Sequence, residues 1–212
     1  LTLSYAKKFS SSISGGMNLK IVSQSISNVG AQGVAIDAGI RYVTGEQDNI
    51  KFAISLKNVG PPMSFSGDGL TLDILNPSTS LSIGMVQRSS SFELPSQLCI
   101  GTSYDFIFSE NSIITAAGSF SANSFSRDQF HFGLNWKVKT EKASFGLMGG
   151  FVYEQGIFDS NEMATALSGP CGGFSFDFPF GDSGSNLGLN YAYRQSVLGG
   201  IHTVGGRINI GN

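Results

Sequence analysis

Apolar side chains recur at every second position along most of this chain, and no other feature limits its fold as tightly. A period of two sends alternate side chains to opposite faces of an extended strand. Val34, Ile36, Ala38, Ile40 and Tyr42 alternate with Ala35, Asp37, Gly39 and Arg41, and Ile50, Phe52, Ile54 and Leu56 alternate with Lys51, Ala53, Ser55 and Lys57. Leu98, Ile100, Thr102, Tyr104, Phe106 and Phe108 oppose Cys99, Gly101, Ser103 and Asp105, and Phe130 to Lys139 repeats the pattern. So do Phe174 to Phe180, Leu187 to Arg194 and Thr203 to Ile210. Helical periodicity is convincing nowhere. Clusters such as Thr44-Gly-Glu-Gln-Asp-Asn49 and Ser109-Glu-Asn-Ser112 separate the runs, and their Gly, Asn, Asp and Ser suit tight turns. The pattern predicts a single all-β domain over 1–212, with about 10 to 11 strands, each long enough to cross a bilayer when tilted.

Two architectures satisfy such an alternation. A soluble sandwich or barrel buries the apolar face in a core, whereas an outer-membrane barrel turns it to lipid and lines its lumen with the polar face. Composition separates them. Only 13% of residues are charged, and 28 of 212 are glycine, against roughly 25% and roughly 7% in soluble domains. The polar faces carry Gly, Ala, Ser and Asn with sparse charges of both signs, as a crowded lumen requires. Aromatics stand near strand ends at Tyr42, Phe106, Phe108, Tyr153, Tyr191 and Tyr193, where interfacial girdles lie. The chain therefore reads as an antiparallel transmembrane β-barrel integral to a bilayer. No apolar run of roughly 18 residues exists for a spanning helix. A net charge of -2 with no basic cluster argues against nucleic acid. Leu1 to Phe9 reads as strand and not as a leader, so the true N-terminus is expected to lie upstream.

The inventory for chemistry is thin. His131 and His202 fall on strands, in no catalytic spacing, and are expected to be lumenal side chains satisfied by Ser or Asn. No metal, phosphate-loop or nucleophile motif occurs, and Asp68 within Ser-Gly-Asp-Gly69 is a turn residue before it is a calcium ligand. Cys99 and Cys171 match no metal or redox spacing. The chain is read as a non-enzyme without cofactor. Two segments break the alternation, Pro61 to Ser91 and Gly156 to Pro170. Loops held by a rigid scaffold are where recognition concentrates. Phe65, Phe92 and Leu94 are expected as apolar anchors of a partner-binding surface, with Asp68 and Glu93 beside them. The competing reading of Phe92-Glu-Leu-Pro95 is that it only seats the start of a strand.

Gly33-Val-Ala-Ile-Asp-Ala-Gly-Ile-Arg-Tyr42 followed by Lys57-Asn-Val-Gly-Pro-Pro-Met-Ser-Phe-Ser-Gly-Asp-Gly69 resembles the PorV/PorQ family of outer-membrane barrels, which are similar in fold to the FadL transporters. Further blocks follow in the family's order: Arg88-Ser-Ser-Ser-Phe-Glu-Leu-Pro-Ser96, Ile100-Gly-Thr-Ser-Tyr-Asp-Phe106, Asn123-Ser-Phe-Ser-Arg-Asp-Gln-Phe130, Tyr191-Ala-Tyr-Arg194 and His202-Thr-Val-Gly205. The resemblance implies a FadL-like barrel of about 14 strands in the outer membrane of Bacteroidota, with about three N-terminal strands outside this chain. It implies a type IX secretion component that binds the C-terminal signal domain of cargo at the SprA/Sov translocon and passes it to the PorU sortase complex. The alternative is a FadL-like transporter of a hydrophobic small molecule. Polar, small lumenal residues argue against the large apolar pocket this would need.

Overall fold

In the computed structural model, thirteen strands follow one another, β1 (Thr2–Lys8), β2 (Ile13–Ile26), β3 (Val29–Thr44), β4 (Ile50–Val59), β5 (Thr71–Leu75), β6 (Ser82–Val86), β7 (Gln97–Ser109), β8 (Ser112–Asn123), β9 (Gln129–Lys139), β10 (Ser144–Glu154), β11 (Gly169–Phe180), β12 (Ser185–Ser196) and β13 (Gly199–Asn209). The structure describes residues 1–75, 82–159, 167–180, 185–196 and 199–210. Eleven strands form one antiparallel sheet in the order β1-β2-β3-β4-β7-β8-β9-β10-β11-β12-β13, and β5 and β6 form a separate hairpin. Among the described residues β1 and β13 each pair on one side only. Gly169 and Pro170, expected in a connection, instead open β11, where a strand tolerates a missing N–H.

Register fixes which side chains share a face. Asn18 stands opposite Asp37, Arg41 opposite Ala53, Ser103 opposite Ala117, Asn135 opposite Met148, and Asp177 opposite Gly188, all on one face. Three ion pairs lie there: Lys20 with Asp37 at 2.6 Å, Arg207 with Asp177 at 2.8 Å, and Lys51 with Asp105. The other face is apolar. Ile40, Ile54, Leu134 and Phe132 on it are 54–61% exposed, and among the described residues the buried apolar side chains are only Ala31, Ala35, Met63, Val152 and Ile157. Among the described residues no second sheet covers the apolar face, so they do not form a self-contained sandwich.

Turns divide sharply by end. At one end β1–β2, β3–β4, β7–β8 and β9–β10 are joined by 9–12, 45–49, 110–111 and 140–143. Gly45 (φ 97°) and Asp48 (φ 54°) bend the second of these through the left-handed region. At the other end, beside the tight Ser27–Asn28 turn, lie the connections 60–96, 124–128 and 155–168. Both long connections therefore leave the sheet at the same end.

Candidate functional site: the surface at the long-connection end

The first long connection does not hang free. Just before it, β4 carries a bulge opposite Ile36 and Ala38, with Asn58 in the left-handed region at φ 57°. Asp37 holds the bulge by accepting the Asn58 backbone N–H at 2.9 Å. The same carboxylate receives Lys20 and, at 3.2 Å, the Asn18 amide. Asn58 in turn accepts from Lys20 Nζ at 2.9 Å and donates Nδ2 to the Pro95 carbonyl at 2.9 Å. Four charged or amide groups thus pin both limbs of the connection to β2 and β3.

Beyond the bulge the chain runs along β3. Gly30 and Ser66 exchange backbone bonds of 2.8 and 2.9 Å, as do Met63 and Phe92 at 2.8 and 2.7 Å. Met63 is the one large apolar side chain among the described residues of the segment that is fully buried, at 2% exposure. It rests on Gly33, where an added Cβ would sit 2.5 Å from Met63 Cγ. This explains glycine at position 33. A single 3-10 turn, Asp68–Leu70, then leads into β5.

Phe65 and Phe92 stack with ring centroids 5.2 Å apart and planes at 25°. Both are half-buried, as is Leu94, while Asp68 and Glu93 are exposed. The structure brings Phe65 and Phe92 together, and their faces are spent largely on each other. Exposed apolar surface lies elsewhere. On the β5–β6 hairpin, Leu72 opposes Met85, with exposures of 56% and 55%, and Ile74 is 47% exposed. Phe125 in the β8–β9 connection and Phe158 in the β10–β11 connection are 63% and 86% exposed. These residues were missed by sequence reasoning. The signal was present in Leu72-Asp-Ile74 and Gly84-Met85, an alternation hidden inside a breaker-rich segment. Of the segment Pro61 to Ser91, residues 76–81 lie outside the described residues, and so do 160–166 of the second connection.

The connections are tied to one another. Ser96 and Ser124 bond through their hydroxyls at 2.9 Å, and the Ser124 N–H meets the Ser96 carbonyl at 3.1 Å. Asn123 receives Gln97 at 2.8 Å and donates to the Arg127 carbonyl at 3.0 Å. Arg127 reaches across to the Gln155 carbonyl. These bonds link the end of the first long connection to the 124–128 connection, and that in turn to Gln155.

Comparison of the sequence with protein-family models and with curated proteins finds no match. Function therefore has to be argued from the geometry of this chain.

The two histidines lie on opposite faces. His131 stands on the polar face opposite Ser119, as expected. His202 does not: it is on the apolar face, where the Tyr191 hydroxyl bonds its Nδ1 at 2.7 Å and the Tyr193 ring lies 5.1 Å away. It shares the parity of Val204 and Ile208 and stands opposite Tyr193. Among the described residues no three metal-ligating side chains cluster, and Cys99 and Cys171 are free thiols.

The polar face is also less uniform than its composition suggests. Across β9–β13 it holds a cavity of about 630 Å³ whose walls include Met148, Val152, Ile201 and Leu167, with Arg194 and His131 among them. Gly133 lies among its lining residues, where an added Cβ would meet only the Gly149 carbonyl oxygen at 3.8 Å.

Proposed function

We propose that this chain is the greater part of an outer-membrane β-barrel that binds protein partners at its long-connection end. In this reading it is a non-enzymatic type IX secretion component of the PorV/PorQ kind, which takes the C-terminal signal domain of cargo at the SprA/Sov translocon and hands it to the PorU attachment complex. The observation that carries the reading is the pairing of an uncovered apolar face with an end on which every long connection is gathered. In water such a face would be an aggregation surface; in a bilayer it is the solvated one. Short turns at one end and long loops at the other are the polarity of outer-membrane barrels, so the long connections face the cell exterior.

Strand parity supports further strands. β1 and β13 are first and eleventh in an antiparallel series, so they run in the same direction and do not close on each other as an antiparallel pair. An odd number of added strands closes the ring. Three would give the even count of about 14 that the motif resemblance implies.

Recognition then falls to Leu72, Ile74, Met85, Phe125 and Phe158, which project beyond the strand ends where lipid does not cover them. Mass spectrometry of what co-purifies with the protein, tagged at its native locus, from gently solubilised outer membranes tests the reading. Recovery of a giant barrel or of proteins sharing a β-rich C-terminal domain is expected. Recovery of the barrel alone across several detergents sinks it. The cavity on the polar face favours a second reading, a FadL-like transporter of a hydrophobic small molecule, for which uptake lost on deletion is the test.

A further inference from the structure

Charge is divided unevenly between the sheet and its connections. By register, the polar face carries nine of the 13 basic side chains, on β1, β2, β3, β4, β9, β12 and β13, against only Asp37, Asp105, Glu154 and Asp177 among the acids. The other nine described acids stand in turns, in connections and on the β5–β6 hairpin, where the basic residues are Arg88, Arg127 and Lys142. A chain with a net charge of -2 thus has a positive polar face between negative rims. Lys20, Lys51 and Arg207 each hold an aspartate, whereas Arg41, Lys57, Lys137 and Lys139 form no ion pair among the described residues.

The excess is plainest in a hollow of about 410 Å³ between β9 and β13, lined by Lys137 and Arg207 together with the Asn135 and Asn190 amides. Asp177 lies over Gly188, where an added Cβ would come 2.3 Å from its Oδ1, and that same oxygen accepts Arg207 at 2.8 Å. Lys137 lines the same hollow without a carboxylate of its own.

We propose that the polar face lines an anion-selective passage for small hydrophilic anions. The proposal rests on the barrel reading, in which this face encloses water. Between low-dielectric walls, charges of one sign are screened less than at a surface and raise the local concentration of counter-ions. Rings of Lys and Arg are the lining of anion pores. The acids of the rims project into bulk solvent, where salt screens them within about 8 Å. Spread over seven strands, the cations suit brief contacts with a moving ion, because conduction needs sites weak enough to leave. Tight hold on one polyanion would need them gathered.

The test is the reversal potential of the protein, purified from membranes and inserted into a planar bilayer between unequal potassium chloride solutions. Potassium and chloride diffuse almost equally fast in water, so the sign of the potential reports the preference of the passage. Chloride is expected to permeate about 5- to 10-fold more readily than potassium, as a lumenal potential near kT gives, and less selectively at high salt. Arg41→Glu combined with Lys137→Glu should bring the two permeabilities together. Should that variant fail to insert, Lys57→Gln combined with Lys137→Gln leaves every described ion pair intact and should lower the preference part of the way. Lys142→Glu, in the exposed β9–β10 turn, should leave it unchanged. Equal permeation, a preference for potassium, or no conductance from protein that inserts with the heat-modifiable mobility of a folded barrel overturns the proposal and leaves the barrel reading standing. So does a preference that neither lumenal variant moves. Protein that extracts without detergent sinks the barrel reading, and this proposal with it.

Discussion

The backbone N–H of Asn58 donates to Asp37 Oδ1 at 2.9 Å, which ties the bulge of β4 to the middle of β3 and so fixes where the first long connection leaves the sheet. A bulge re-aims the chain that follows it. Here it turns Gly60 away from β7 and along β3, close to Val34 and Ala35, and the Met63 and Ser66 contacts follow from that course.

Asp37→Ala removes the acceptor and the counter-charge of Lys20. The expected loss is about 1 to 3 kcal/mol, read as a lower urea midpoint for the purified protein. Asp37→Asn keeps an oxygen for the Asn58 N–H and should cost less. Equal stability of all three proteins would show that the node does not hold the bulge.

Met63→Ala opens space above Gly33 and should destabilise the connection by about 2 kcal/mol or more, as buried methionine truncations do. Limited proteolysis is the measurement. Cleavage between Gly60 and Ser96 should accelerate while the strands stay protected.

Leu72→Ser combined with Met85→Ser should lower partner recovery and leave thermal unfolding within about 0.5 kcal/mol of the original, because both side chains are exposed. Phe65→Ser combined with Phe92→Ser should lower both, since the stacked pair also packs the connection. Full recovery of partners with the hairpin variant would remove it from the recognition surface.

Orientation can be read chemically. With Cys99 and Cys171 replaced by serine, Phe158→Cys should react with a membrane-impermeant maleimide on intact cells, and Glu110→Cys in the β7–β8 turn should not. The reverse labelling would overturn the proposed orientation.

Some elements were legible in the sequence and others were not, for identifiable reasons. Val34 to Tyr42 and Phe130 to Lys139 contrast sharply in polarity from one residue to the next, and they are strands as read. β8 and β10 are harder to see, because Ile113-Ile114, Ala116-Ala117 and Gly149-Gly150 lack that contrast. β5 and β6 were hidden by the prolines and glycines around them. Phe65 and Phe92 were legible as apolar, but not as partners, since 26 intervening positions separate them in sequence.

The period of two determined by itself that this chain is a series of strands with one apolar and one polar face, since side-chain direction in a strand depends only on residue parity. Register and connection geometry belong to the tertiary structure. They decided that, among the described residues, the apolar face stays uncovered, that the long connections share one end, and that Lys20, Asp37 and Asn58 meet at the bulge of β4. Each of these depends on which strand lies beside which and at what offset, and pairing between distant segments leaves no mark in local alternation.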